Sequence, residues 1–456
     1  MIQITMYSMG MKSRKPGNSP LDVYLKSLKL IPGGTQLFSK KPELFNIDVW
    51  PIYFQTAKGI KVRTMDGRLL RDMSQMGVGS CVLGYADRDV SNAVKKVVKQ
   101  GVQSTLIAPE EIELAEKLIE IHPWAQMVRF ARSGGEAMSI AVRIARVSTD
   151  KEIVLFSGYH GWADWYLAAN LATSDQLDAV LLPGLSSRGI PKGLTGTALA
   201  FEFNDIEKFR NLVQKHRGQI ASVVMEPRRS APAASGYLEE IRKVCDSEEI
   251  VLIFDEITTG WRACNGGIHL LGEVLPDISV FAKAMANGHA MSAIIGTQKV
   301  MSTADSTFIS STNWTERIGP AAALATIKKY QENSVQEHLA WAGEMVSKGW
   351  DEIATGLGIE IDTNHGGLPA LSRFAFRHPN SRGLDVIFCQ KMLERGWLAH
   401  NQFKPSFAHK KKDIDQYLDS VAEVFKELSL LMQSNGDLIK KVASLHPAPS
   451  IPRLTQ

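Results

Sequence analysis

Lys283 is the single fixed charge in the stretch Phe281–Gly296, FAKAMANGHAMSAIIG. An ammonium set among small and apolar residues is costly to bury unless something offsets it. Either it points from a turn into water, or the amine is a reagent held in a closed site. Other polar residues stand at the ends of apolar runs upstream. Asp255 closes IVLIFD, Glu226 follows IASVVM, Tyr159-His160 follow EIVLFSG, and Ser133-Gly134-Gly135 follow QMVRFAR. Singly each has an ordinary explanation: Asp255 as a cap, Tyr159 as core, Lys283 as solvated. As a set they are tools. A glycine turn opening a helix offers free N–H groups and the positive end of the dipole to a phosphate. A carboxylate at Asp255 suits a protonated pyridine nitrogen. Tyr159 offers a ring face for stacking on a flat heterocycle. An amine of lowered pKa at Lys283 forms an imine with an aldehyde. Phosphate, pyridinium, flat ring and aldehyde are the four handles of pyridoxal 5′-phosphate.

These residues need elements to carry them. Five apolar runs, each ending in a polar residue and a turn, predict short strands buried on both faces. Helical spacing separates some of them, at Met138, Ala141, Val142 and Ala145, and at Ile206, Phe209, Leu212 and Val213. Strand, helix, strand predicts a mostly parallel sheet with helices on both faces, whose ligands bind beyond the carboxyl ends of the strands. GIKVRTMDGRLLRDM (59–73) predicts a hairpin about Asp66-Gly67. A stripe from Ile414 to Leu428 predicts an amphipathic helix capped by Asp413. At 456 residues more than one domain is expected. The reading places an N-terminal segment at 1–95 packing with the smaller domain, a large cofactor-binding domain at 96–330, a C-terminal α+β domain at 331–437 and a tail at 438–456.

Hydrophobic content of 44% and 22% charged residues describe a globular chain, and a net charge of +4 is too mild to indicate nucleic acid or a membrane surface as partner. Cys81, Cys245, Cys264 and Cys389 form no C-x-x-C pair, which reads as reduced thiols in a cytoplasmic protein that binds no metal. The start lacks the apolar segment and cleavage site of a signal peptide, and the Pro-rich tail HPAPSIPRLTQ is expected to be loosely held.

The sequence resembles the class III (subgroup II) pyridoxal-phosphate aminotransferases of fold type I, in particular the glutamate-1-semialdehyde 2,1-aminomutase branch. IPGG (31–34), RSGGEA (132–137), GYHGW (158–162), EP (226–227), FDEITTGWR (254–262) and FAKAMANGHAMSAIIG (281–296) carry the resemblance, in family order. It implies an α/β fold with a mostly parallel seven-stranded sheet in the large domain. It implies that Lys283 carries the cofactor as a Schiff base and shuttles the proton. By the same resemblance Asp255 pairs with the pyridine nitrogen, Tyr159 stacks on the ring, Ser133, Gly134 and Gly135 hold the phosphate, and Glu226 lies near the ring hydroxyl. Thr312 would reach the phosphate of a second subunit, which implies an obligate homodimer. His160 and His409 are expected to be structural.

Four departures stand out, and three of them touch substrate handling. The phosphate turn reads S-G-G, where relatives often have threonine or serine third. The loop TNWTERIGP is longer than that of the aminomutases. After IPGG the aminomutases have an arginine for the substrate carboxylate, and here TQLFSKKPELF has none. Lys404 stands near where an acidic gating residue is expected. The expected function is therefore amino transfer between a donor and an aldehyde or ketone, on a sugar-like or hydroxylated amine. Arg262 is left for a donor carboxylate, and intramolecular aminomutation is the alternative. Two other classes fit less well. A nicotinamide oxidoreductase would rest on GVGSCVLG (77–84), which lacks G-x-G-x-x-G spacing. A non-catalytic cofactor carrier would need neither Lys283 nor Asp255.

Overall fold

The computed structural model describes residues 19–173, 176–178, 185–228, 231–443 and 445. The expected tail segment 446–456 lies outside them. Seven strands form the central sheet: β1 (Met127–Ala131), β2 (Ile153–Ser157), β3 (Ala198–Ala200), β4 (Ile220–Met225), β5 (Val251–Asp255), β6 (Ile278–Phe281) and β7 (Ser292–Gly296). Their order is β1-β7-β6-β5-β4-β2-β3. Only β7 runs against its neighbours, so β1 shares the direction of the rest and the carboxyl ends of six strands open on one edge. Five of the seven were expected. β3 has three residues, Ala-Leu-Ala, too few to announce a strand. β7 was concealed in the small-residue stretch that follows Lys283.

Every residue of β2, β4, β5, β6 and β7 is buried, as a strand covered on both faces requires. Alternate residues feed different layers. Val154, Phe156, Val224, Ile253, Val280 and Ile294 pack with the helix α1 (Gly134–Thr149) through Ala137, Met138, Ala141 and Ala145. Leu155, Val223, Met225, Leu252 and Phe254 face the other way, toward α2 (Ile206–Lys215) and its Phe209 and Val213.

A second core gathers α3 (Val335–Gly356), α4 (Ser381–Glu394) and α5 (Lys411–Gln433) with Trp350, Phe374, Phe388, Tyr417 and Phe425. The expected stripe is buried at Ile414, Tyr417, Val421, Val424, Phe425 and Leu428. The cap is corrected. Lys410 holds the N-cap position, and Asp413 lies three residues inside, where its carboxylate accepts the Lys410 N–H at 3.3 Å. The helix therefore begins at Lys411, three residues before Ile414, and Lys410 O takes the Asp413 N–H at 2.8 Å and the Ile414 N–H at 3.1 Å. The hairpin about Asp66-Gly67 forms from Lys61–Thr64 and Leu69–Asp72, and the latter pairs in parallel with Trp397–Leu398. Arg71 lies over the Trp397 ring, 3.6 Å from its centroid. Among the described residues no helix is long and apolar enough to cross a membrane.

Candidate active site

The edge formed by the strand ends collects the residues singled out above. Asp255, the last residue of β5, is 3% exposed. Its Oδ2 accepts from His160 Nδ1 at 2.8 Å and its Oδ1 from the Ile257 N–H at 3.0 Å. His160 itself is buried after β2, its Nε2 3.3 Å from Ser157 O. The histidine expected to be structural is thus a hydrogen-bonding one, and its partner is the central carboxylate. A carboxylate this deep needs such charge-assisted donors.

Lys283 follows β6. Its Nζ donates to Thr258 Oγ1 at 2.8 Å, and its φ is +44°. A left-handed lysine costs about 1–2 kcal/mol, and such strain persists where the surroundings over-determine it. It turns the side chain toward the end of β5 and Thr258. Sequence reasoning passed over Thr258. Its only signal was its place in FDEITTGWR.

Tyr159 and Glu226 meet across β2 and β4. Glu226, 6% exposed, takes the Tyr159 N–H on Oε2 at 3.4 Å. Gly158 between them has φ +124°, and a Cβ there would lie 2.8 Å from the same Oε2, so only glycine lets the strand turn this tightly under the carboxylate. The Tyr159 ring meets Tyr166 edge-on at 6.0 Å.

Ser133 is the N-cap of α1. Its Oγ donates to Glu136 Oε2 at 2.9 Å and receives the Glu136 N–H at 3.4 Å, a reciprocal capping box. The serine hydroxyl is therefore spent within the helix. The groups left for an anion are the N–H donors of Gly134 and Gly135, which have no partner among the described residues. A Cβ at Gly134 would lie 2.8 Å from Ile257 Cδ1, so this helix start packs on the turn that carries Asp255. Thr312 opens a short turn, Thr312–Thr315, and is exposed. Arg132 fixes that turn to the end of β1, donating to Trp314 O at 2.8 Å and Glu316 O at 2.6 Å. The structure thus brings Ser133, Gly134, Gly135, Tyr159, Glu226, Asp255 and Lys283 to one edge, with Thr312 outside on an anchored loop.

Behind this edge lies a buried network that the sequence did not disclose. Glu256 Oε1 accepts from His269 N at 3.0 Å and Nδ1 at 2.7 Å. Its Oε2 accepts from Thr259 Oγ1 at 2.6 Å and Ile268 N at 2.8 Å. Burial alone would raise this carboxyl, yet the donors of His269 and Thr259 hold it below the ordinary glutamate range. Arg262, 1% exposed, gives Nε to Thr258 O at 3.1 Å and Nη2 to Gly79 O. These two bonds join two backbone turns, and they leave Nη1 buried without a hydrogen-bond partner among the described residues.

The donor set fits pyridoxal 5′-phosphate: N–H groups at a helix start, unpartnered among the described residues, for the phosphate, a buried carboxylate for the pyridine nitrogen, and the primary amine of Lys283, hydrogen-bonded to Thr258 on the turn after β5. Residues 46–424 match the protein family Aminotransferase class-III. The chain belongs to the class-III aminotransferases. They are pyridoxal-phosphate enzymes that move an amino group between a donor and an aldehyde or ketone. Among its relatives is a 3-aminobutyryl-CoA aminotransferase of Cloacimonas acidaminovorans, 29% identical over 85% of this chain and 90% of that one. A 2'-deamino-2'-hydroxyneamine transaminase of Streptomyces kanamyceticus is 33% identical over 66% and 72%. A glutamate-1-semialdehyde 2,1-aminomutase of Hyperthermus butylicus is 29% identical over 91% and 100%. In fold the chain matches the PLP internal aldimine form of FumI from Sphingopyxis sp. MTA144, with a TM-score of 0.83 at 22% identity over 95% of this chain and 100% of that one.

Proposed function

We propose that this class-III enzyme transfers an amino group between two molecules, and that its amine substrate is hydroxylated and sugar-like. The observation that carries this is the segment after Ile31–Gly34. Residues 35–45 contain no arginine. Of the two cations there, Lys40 is exposed and Lys41 lies 5.6 Å over the Phe38 ring. A bidentate guanidinium would fix a substrate carboxylate by geometry as well as charge, and a lysine does not. The relatives named for 3-aminobutyryl-CoA and 2'-deamino-2'-hydroxyneamine act, by those names, on amines without a free carboxylate, which supports the same reading. The aminomutase relative keeps intramolecular transfer as the second reading.

Pyridoxal 5′-phosphate, when bound, supplies the electron sink for bond breaking at the amine-bearing carbon. The chain's own residues do the rest. The Lys283 amine holds the cofactor and then carries the proton to and from the reacting carbon. Asp255, oriented by His160, keeps a proton on the pyridine nitrogen. Tyr159 covers one face of the ring and excludes water, while Glu226 fixes the Tyr159 backbone beside the ring hydroxyl. The start of α1 holds the phosphate through the N–H groups of Gly134 and Gly135, while Ser133, expected among the phosphate ligands, caps the helix that presents them. Thr312 serves the phosphate of a second copy, so the enzyme is an obligate homodimer. A monomer at full cofactor occupancy in sedimentation would remove that point. Cysteine spacing supports a cytoplasmic setting.

The test of substrate class is direct. Purified enzyme is given glutamate-1-semialdehyde alone and 5-aminolevulinate is measured. The proposal expects no efficient conversion, and expects amino sugars to discharge the amino group onto the cofactor in a half-reaction. Efficient conversion without a second substrate overturns it in favour of the aminomutase.

A further inference from the structure

Gly135 is the second residue of α1 and does not have a left-handed φ. Its backbone therefore does not demand glycine, and glycine weakens a helix. What it provides is room. A Cβ at 135 would lie 2.9 Å from Nε1 and 3.3 Å from Cδ1 of Trp162. Gly161, at φ +106°, brings the loop down on the same spot, for a Cβ there would lie 3.4 Å from the Gly135 Cα. The indole N–H thus occupies the place that a side chain at 135 would fill.

Indole Nε1 is a donor only. It sits beside Gly135 at the start of α1, where the N–H groups of Gly134 and Gly135 are donors too, and none of the three has a protein acceptor among the described residues. The nearby carboxylate is committed elsewhere. Glu136 Oε1 takes Trp314 Nε1 at 3.3 Å, and its Oε2 takes the N–H groups of Ser133 and Arg132 at 2.8 and 3.3 Å as well as the Ser133 hydroxyl. Donors gathered without an acceptor fit an anion with several oxygens.

We propose that Trp162 Nε1–H is a cofactor-binding group of this enzyme, a side-chain donor to the phosphate of pyridoxal 5′-phosphate that stands in for a hydroxyl at 135. The pairing explains both residues at once: Gly135 is small so that Trp162 can enter. The proposal rests on the reading of the α1 start as the phosphate site. The Trp162 side chain is 70% exposed, so the ring is not part of a core that its alteration would undo.

The experiment titrates apo-protein with pyridoxal 5′-phosphate and, separately, with pyridoxal, which lacks the phosphate. Trp162→Phe removes the N–H and keeps a ring. Its affinity for the phosphorylated cofactor should fall about tenfold, the worth of one hydrogen bond to a charged group, with pyridoxal unchanged. Gly135→Ser added to Trp162→Phe should restore the loss, because the hydroxyl then has the space. Gly135→Ser with Trp162 in place should not improve binding. Ser133→Asp keeps a capping side chain and adds a negative charge, so it tests the phosphate site itself. If Ser133→Asp weakens only the phosphorylated cofactor while Trp162→Phe changes neither ligand, the tryptophan role is refuted and the phosphate site stands. If Trp162→Phe weakens both ligands equally, the ring only packs the loop and the proposal is wrong. If neither variant distinguishes the two ligands, the phosphate site falls and the proposal with it.

Discussion

Glu256→Gln is the smallest change that probes the scaffold beneath the site. The side chain keeps its shape and loses one acceptor end. In the native protein each carboxylate oxygen receives two donors. If the amide nitrogen replaces Oε2, the Ile268 N–H faces a donor and the Thr259 hydroxyl must turn away. If it replaces Oε1, the His269 N–H is orphaned. The histidine could offer Nδ1 as an acceptor only by protonating Nε2, which already accepts Trp124 Nε1–H at 2.9 Å. Either orientation leaves about two buried donors unsatisfied, at about 1–3 kcal/mol each, or about 2–6 kcal/mol together. The loss falls on the turn at Gly267–His269 and on the residue adjoining Asp255. Hydrogen exchange of the apo-protein reads it locally, and the Ile268 and His269 amides should exchange roughly thirtyfold to 10⁴-fold faster. The pH sign follows from the lowered carboxyl. A folded-state value below the unfolded one contributes stability above the ordinary glutamate value of about 4.3. That contribution is lost as pH falls through the folded value. Wild type should therefore lose protection of this turn on acidification, and the variant should not. Exchange within threefold of wild type at neutral pH would refute the claim that Glu256 pins this turn.

Two further outcomes are expected. Asp255→Asn should fold, since the amide oxygen can still accept one donor, and should lose at least about a hundredfold in half-reaction rate because a neutral partner cannot keep the pyridine nitrogen protonated; near-normal turnover would make Asp255 only a cap. Asp385 is pushed up to about 7 by burial, against the pull of Arg382, and its Oδ1 is buried without a partner. Between its unfolded value of about 3.9 and the folded one, the native state alone holds the proton, so stability falls as pH rises through that window by up to about 4 kcal/mol, three units at about 1.4 each. Urea unfolding of Asp385→Asn should lack that decline and leave the variant more stable than wild type above neutrality, and parallel pH profiles for the two proteins would contradict this.

What could be read in the sequence was local. Strands buried on both faces announce themselves as unbroken apolar runs, and β5, VLIFD, ends in a charge because the sheet ends there. The helix starting at Gly134 and the hairpin about Asp66-Gly67 were equally visible, as turn and cap chemistry. β3 was too short to carry a pattern. Asp413 was placed as a cap because the preceding lysines do not look like one, whereas the backbone of Lys410 fills the position. What stayed hidden was pairing across the fold. His160 and Asp255 are far apart in the chain, and no spacing encodes their contact. Glu256 and His269 close a turn whose shape only the packed sheet determines. GVGSCVLG read as a failed dinucleotide motif. In the fold it begins with a left-handed turn, Met76 to Gly79 at φ +43°, +66°, +61° and +80°, and the Gly79 carbonyl is held by Arg262. Val78 is costly in that conformation, and no local rule would have placed it there.

Lys283 is the residue proposed to hold the cofactor. Borohydride treatment of the loaded enzyme, followed by proteolysis and mass mapping, attaches the cofactor permanently to whichever lysine carries it. The added mass is expected on Lys283 and on no other peptide. Cofactor on Lys404, Lys40 or Lys41, or no covalent cofactor in an active preparation, would contradict it.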